Sequence, residues 1–485
     1  MFFMYEKKDL EKQKQIHFFC LEDLVPKDHL VRQLQKAIDF SFIYEEVAGL
    51  YKEDKWGKPG IDPVSLFKIV FIQYIFGIPS MRQTIREIEV NVAYRWFIGY
   101  SLTEPIPHFS TFGKNYSRRF KDTDIFERIF VRILKEAAIQ GFVDARAIFI
   151  DSTHIKARAN KNKATNEIIE KQTRSYQEQL EEEINQDREN HDKKPLKNTD
   201  DPPKTKNIKK STTDPQSGLF HKGEHQKCFA YTTNTACDKN NFILEYQVAA
   251  GNNHDSQTFE QLYEKLLTKY PQTKEIVIDV GYKTPWIMKQ ILDSEKIPVT
   301  GYKRPMNPEG YLKKNEFIYD EYYDCVICPA NQILKYSTTN REGYQQYKST
   351  ASICQNCQYL KKCTNSRNHQ KTYTRHIWEK YMEQAEDYRH TIKYRELYKK
   401  RKETIERVFA DAKEKHCMRY TQLRGLAKVT MQVGLTFLCM NLKKLAKMKA
   451  RRERHFCFID NIFTKMAIFS RKDNSLLEKG TLRFA

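Results

Sequence analysis

Through residues 1–142 the apolar positions recur at helical spacing. Met81, Ile85, Ile88, Val92 and Trp96 step by three and four, which predicts a helix with one apolar face. Ser110 or Thr111 is placed to cap a short helix with Phe112, Tyr116 and Phe120 on one side and Lys114, Arg118 and Arg119 on the other. A further helix is predicted from about Asp124 to Gln140, stopped by Gly141. A helical module with a basic helix suits DNA docking, and a solvated charged face explains the same pattern equally well.

Beyond it the period changes. Ala147–Ile150 is a short apolar run ending on Asp151, and Glu275–Ile278 is another ending on Asp279. Phe229–Ala236 and Phe242–Ala249 read as strands around the turn Asp238–Asn241, and Ile297–Tyr302 as a fifth strand. Helical patterns run from about Ser256 to Lys269 and from Pro285 to Ser294. Three strands without helices, then strands alternating with helices, predict a mixed α/β sheet.

Two segments interrupt this pattern. Residues 160–212 are polar, with Ile169, Tyr176, Leu180 and Ile184 as a thin helical stripe, and read as a helical protrusion followed by a flexible linker. Residues 303–375 hold paired cysteines and read as a separate insertion. The expected layout is a helical, DNA-end-binding module over 1–142, an α/β domain over 143–302, and the cysteine-rich insertion over 303–375. The helices that complete the α/β domain follow over 376–450, and a basic tail over 451–485.

Charge adds a partner class. The formal charge of +21 favours a polyanion, although a basic protein without a nucleic-acid ligand has the same balance. A hydrophobic content of 40% across 485 residues excludes a wholly disordered chain. Met1–Tyr5 is too short an apolar stretch for a signal peptide, and Val429–Leu442 is too short and too interrupted to span a membrane. The expectation is a cytoplasmic protein whose eleven cysteines are reduced or metal-bound.

The chemistry is expected where acids end buried strands. A carboxylate there costs desolvation unless something pairs with it, and it happens at both Asp151 and Asp279. If their strands are neighbours, the two acids emerge at one sheet edge, where a divalent cation relieves their repulsion; two unrelated strand-end turns are the plainer alternative. On a predicted helix Lys400–Lys415, Lys402, Glu406 and Lys413 share one face, as a metal ligand beside phosphate-binding cations would, or as a solvated ion-pair ladder would. Cys325-x2-Cys328 and Cys354-x2-Cys357 have the spacing of a structural zinc site, with Cys363 able to replace one ligand; reduced, partly buried thiols are the alternative. Cys20, Cys228, Cys417 and Cys439 lack ligand spacing and read as small hydrophobes.

Three stretches also carry a family likeness. Asp151-Ser-Thr-His154, Asp279-Val-Gly-Tyr282-Lys-Thr-Pro285, and Thr404-Ile-Glu406-Arg-Val-Phe409 with Lys413 and Leu423-Arg-Gly425 resemble the signatures of bacterial insertion-sequence DDE transposases. The group it most resembles is insertion-sequence family 1182, and the likeness extends to Pro107-His-Phe-Ser-Thr-Phe112. The resemblance implies a ribonuclease-H-like catalytic domain with two Mg²⁺ (or Mn²⁺) ions on Asp151, Asp279 and Glu406. It implies in-line attack on phosphodiesters of transposon-end and target double-stranded DNA, by a homodimer acting at the bacterial nucleoid.

Related transposases carry Tyr-x2-Arg-x3-Glu-x6-Lys on the last helix, and this chain departs from that pattern. Counting from Glu406, Lys413 fits, Lys402 stands at the Arg place, and Tyr398 and Arg401 sit one residue early. Glu403 competes as third acid but has Ala410 at the Lys place. His154 could touch DNA or merely bond nearby backbone, and Trp286 could stack an unpaired base or pack in the core. The competing functions are a metal-dependent nuclease without strand transfer and a catalytically inactive sequence-specific DNA-binding protein.

Overall fold

The computed structural model describes residues 14–16, 18–51, 60–170, 176–196, 205–222, 226–253, 255–303 and 309–479. The chain forms two compact units: one from residues 1–142, 411–418 and 434–485, the other from 143–410 and 419–433.

The first unit is helical. Helix Pro63–Ile75 starts with Pro at its first turn and an Asp62 carboxylate accepting from Ser65 N at 2.7 Å. Its Phe67 and Phe71 are fully buried, and Phe67 packs against Phe120 with ring centroids 5.5 Å apart. The apolar stripe from Met81 to Trp96 is divided between helices Met81–Val90 and Val92–Ile98. Asn91 causes the division: its backbone is extended while its side chain accepts from Tyr94 N, capping the second helix. Helix Ser110–Asn115 has no side-chain cap from Ser110 or Thr111 and runs into a wider π turn, Tyr116–Phe120, closed by Lys121 N donating to Tyr116 O. The helix predicted next runs Ile125–Ile139 and ends at Gly141, whose φ of +70° accommodates the stop.

The helix Leu426–Lys479 contributes to both units. It buries Val433, Phe437, Leu438, Leu442 and Leu445, and no helix among the described residues is long and apolar enough to cross a membrane.

The second unit is mixed α/β. Its main sheet contains β1 (Ala147–Lys156), β4 (Gly218–Lys222), β5 (Gln226–Cys237), β6 (Ile243–Ala250), β7 (Glu275–Ile278) and β8 (Ile297–Val299). One side of β5 pairs antiparallel with β1, and its other side with β4 and then β6. From β1 onward the pairing turns parallel, β1 with β7 and β7 with β8. Helices Asp255–Lys269 and Pro285–Asp293 connect β6 to β7 and β7 to β8, the crossovers parallel strands require.

Within 160–212, helix Gln177–Asn190 buries Leu180 and Ile184 against Trp378. Around it, β2 (Ala164–Glu170) and β3 (Thr205–Ser211) pair antiparallel, so stretches expected as protrusion and linker form a ribbon. The sequence of neither strand alternates apolar and polar residues, and helix Gln177–Asn190 lies between them in the chain, so no local pattern encodes the pairing. A second sheet holds β9 (Ile318–Asp320), β10 (Cys325–Ile327), β11 (Ile333–Thr339), β12 (Tyr344–Lys348) and β13 (Thr372–His376), antiparallel throughout.

Candidate active site

The two acids lie side by side. In the parallel β1–β7 pair Phe149 faces Val277 and Ile150 faces Ile278, so Asp279 leaves the sheet at the end of β7 beside Asp151. Asp151 does not end its strand as the apolar run suggested: β1 continues to Lys156 and pairs Asp151 with Thr235 of β5. Ile148, Phe149, Ile150 and Ile276–Ile278 are buried and hold this edge rigid. Asp151 Oδ1 accepts from Ser152 N at 2.8 Å, and Asp279 precedes the turn Val280–Tyr282.

Between the acids lies Arg401. Its guanidinium donates to Asp151 Oδ2 at 2.5 Å and to Asp279 Oδ1 at 2.6 Å, and the residue is only 5% exposed. Burial alone would raise the Asp279 carboxyl pKa, but the charge and hydrogen bond of Arg401, with the Val280 and Gly281 amides, hold it below its ordinary value. Tyr398 Oη donates to the same Asp279 oxygen at 3.4 Å, and burial raises its phenol above the usual range, keeping it a donor.

The segment that delivers these groups is not one helix. Helix Ile392–Lys399 gives way to a 3₁₀ turn, Lys400–Lys402, and helix Ile405–Lys415 starts after it. Thr404 closes the break, its Oγ1 donating to Lys400 O at 2.8 Å. The tighter turn rotates Arg401 inward and leaves Lys402 exposed. Lys402 and Glu406 are both exposed but do not lie on one continuous helix, as the predicted helix Lys400–Lys415 required. The break also absorbs the extra residue between Arg401 and Glu406, which counting along a continuous helix could not reveal.

Glu406 is exposed in the first turn of helix Ile405–Lys415, and Lys413 is half-buried in its last turn, within the helical unit. Glu403 is also exposed, its backbone O accepting from Asn241 Nδ2 at 3.0 Å. Among the described residues no three His, Cys, Asp or Glu side chains already stand together as a metal-holding group. Asp151 and Asp279 are gathered, and Glu406 is not gathered with them.

A glycine permits the approach of Tyr398. A Cβ on Gly301, just past β8, would lie 2.6 Å from Tyr398 Oη and 2.8 Å from Val280 Cγ2. The residues after Asp279 are structural: Tyr282 is buried and donates to Asn234 Oδ1, Lys283 pairs with Glu386 at 2.5 Å, and Thr284 caps helix Pro285–Asp293. Leu423-Arg-Gly425 is anchored similarly: Arg424 Nε donates to Arg158 O, and Gly425 N to Asp214 Oδ1.

Other candidates lie elsewhere. The two-residue period of β1 directs His154 to the face opposite Asp151, where it stacks on Phe220 at 3.5 Å. Trp286 stacks on Tyr176 at 4.6 Å and packs beside Trp378. Arg118 is exposed on its π turn, whereas Arg119 donates to Asn115 Oδ1 at 2.6 Å and covers the Tyr51 ring. Cys325 is buried on β10, while Cys328, Cys354, Cys357 and Cys363 line one small cavity.

Comparison with known families agrees with the likeness at Pro107–Phe112 and at the signature around Glu406. Residues 19–118 match a family described as "Transposase domain (DUF772)", and residues 327–446 match "Transposase DDE domain". Together these matches support a DDE transposase, a DNA-processing enzyme. The second stretch contains Tyr398, Arg401, Glu406 and Lys413; Asp151 and Asp279 fall outside both.

No curated protein matches the chain. Among solved structures, it is similar to the piggyBac transposase synaptic complex with hairpin DNA, at 8% identity and a TM-score of 0.36, over 88% of this chain and 77% of that one. It is also similar to the Mos1 transposase paired-end complex with left transposon end, at 9% identity and a TM-score of 0.16, over 51% of this chain and 61% of that one. Scores this low add nothing to the fold assignment.

Proposed function

We propose that this chain is an insertion-sequence transposase that cuts and joins DNA with Asp151, Asp279 and Glu406 as its acids. The observation that carries the reading is the convergence of Asp151 and Asp279, from adjacent parallel strands, on the buried guanidinium of Arg401. The strand order β6-β5-β1-β7-β8, antiparallel to β1 and parallel beyond it, supports a ribonuclease-H-like catalytic domain.

The two carboxylates fit a hard divalent cation, because both offer oxygen donors at an accessible sheet edge. Arg401 supplies positive charge at that edge, and its buried Nε has no acceptor among the described residues, so the pairing leaves one donor unsatisfied. Asp151, Asp279 and Glu406 would hold the metal, which when bound supplies charge stabilisation for in-line phosphoryl transfer. On this reading Arg401 sits between the two acids, holds Asp279 ionised, and would offer its charge to a DNA phosphate once metal and DNA were bound. Tyr398 orients Asp279 from the side. Lys402 and Lys413 remain candidates for DNA phosphates, and the terminal repeats, a homodimeric assembly and a cytoplasmic location belong to the same proposal.

The test incubates purified protein with candidate insertion-sequence ends and Mg²⁺ and maps the cut and joined products. Asp151→Asn, Asp279→Asn or Glu406→Gln should each lower cleavage by ~10³-fold or more while end binding persists. Cleavage without joining would identify a nuclease instead, and binding without cleavage by the wild-type chain a DNA-binding protein.

A further inference from the structure

The cysteine spacing pointed to two CxxC pairs as ligands, but the fold separates one member. Cys325 lies within β10, in register with Asp320 and Lys335, and does not line the cavity that the other four share. We infer that Cys328, Cys354, Cys357 and Cys363 form a four-thiolate site for one zinc ion, with Cys325 outside it. This inference does not rest on the transposase reading.

The cavity is about 30 Å³, room for one ion and no organic ligand. Cys328 follows β10, Cys354 and Cys357 belong to helix Ala351–Gln355 and the turn after it, and Cys363 closes the helical turn Leu360–Cys363. Four soft sulfur donors around so small a space select a borderline-soft tetrahedral cation and discriminate against Mg²⁺ or Ca²⁺. Binding would pull the four side chains in to ligand distance, release their thiol protons and close the cavity.

Contacts around the cavity already fix two of the four side chains. Cys328 N donates to Gln332 O at 3.0 Å, Asn331 N donates to Cys328 O at 2.8 Å, and Asn331 takes a φ of +55°. That tight turn aims Gln332 N at Cys328 Sγ, 3.4 Å away, an outer contact of the kind that orients a ligand. On the other side Cys354 Sγ donates to the buried Ser349 Oγ at 3.2 Å, which fixes that side chain at the cavity wall. Lys371 lines the same cavity and donates to Cys363 O at 2.8 Å, a cation placed to offset the net negative charge of a zinc tetrathiolate.

The neighbourhood also has use for a clamp. The core of this sheet is small, Phe317, Val326, Leu334, Tyr347 and Tyr373, with Cys328 and Cys363 packed at its border. A core of that size gains more from a metal cross-link than a large one does.

Elemental analysis of the full-length protein, purified without chelators, tests the assignment. About one zinc per chain is expected in the wild type and in Cys325→Ser, falling below about a tenth in Cys328→Ser and Cys363→Ser. Should the variants fail to fold, chelator-stripped wild type titrated with Co²⁺ still decides the matter. Intense sulfur-to-cobalt charge transfer with tetrahedral d–d bands, and chelator-sensitive protection of four thiols, support the site. Wild type without zinc and without that spectrum overturns it. So does loss of zinc in Cys325→Ser with retention in Cys363→Ser.

Discussion

Replacing Arg401 by Gln removes the charge between two carboxylates, and the structure sets the expected cost. At about 4 Å and an effective dielectric near 20, each Arg–Asp attraction is worth ~4 kcal/mol before desolvation of the guanidinium is subtracted. Breaking a buried pair from one side costs about 3–5 kcal/mol. The Asp151 side chain is 20% exposed and that of Asp279 46%, so water recovers part of the loss. An expected destabilisation of about 2–3 kcal/mol follows for Arg401→Gln without divalent cations.

Urea unfolding with a chelator, repeated in millimolar Mg²⁺, reads it. The cation should stabilise the variant more than the wild type, because in the variant it meets two uncompensated acids. Acid titration is a second readout. Asp279 is depressed in the folded wild type, so its contribution is present above the ordinary value of 3.8 and is lost as pH falls through the lower, folded value. Arg401→Gln should remove that acid-side dependence. Equal stability of variant and wild type in chelator, with no additional Mg²⁺ effect, would refute the charge-compensation argument.

Further expectations concern single residues. Glu403→Gln should cleave DNA nearly as the wild type does; if it is inactive while Glu406→Gln is active, the third acid is Glu403 instead. Gly301→Ala should cost about 1–3 kcal/mol in urea unfolding, because the new methyl meets both Tyr398 and Val280; wild-type stability would show that the contact relaxes freely. Burial, chiefly, holds His416 down to about 4 from 6.5, while its Nδ1 meets Tyr74 O at 2.6 Å; the unfolded chain therefore binds more protons between those values. Stability should fall by about 3 kcal/mol on acidification across that window and fall less in His416→Gln, as pH-dependent denaturation can measure. Arg118→Ala should lower the slope of log K against log salt for DNA by about 1 with little change in folding, whereas Arg119→Ala should also destabilise; anisotropy over several salt concentrations separates them.

The basic cluster near the C-terminus shows where charge counting misleads. Lys449 pairs with Glu136 and donates to Ala37 O, Lys443 donates to Ile75 O, and Arg452 covers the Phe142 ring. These cations bind the long helix to the helical unit, while Lys447, Arg451 and Arg454 remain exposed. A sequence lists charge, but only packing decides which charges are spent within the fold.

What the sequence determined by itself was local. Apolar runs 147–150 and 275–278 read as buried strands, each followed directly by an acid, although β1 runs on past Asp151 to Lys156. Helices 125–139, 255–269 and 285–293 follow from periodicity and, for the first, from the stop at Gly141. What the tertiary structure decided was every relation between distant segments: that β1 and β7 are parallel neighbours, that β2 finds β3, and that Cys363 instead of Cys325 joins the other thiols. Arg401 is the clearest case. Its distance in sequence from Glu406 argued against it while one continuous helix was assumed, and a 3₁₀ turn reverses that geometry. Helical phase is a local property until the helix breaks; after that, the direction of a side chain is set by what it can bury and pair with. For a guanidinium within reach of two adjacent carboxylates, that direction is inward.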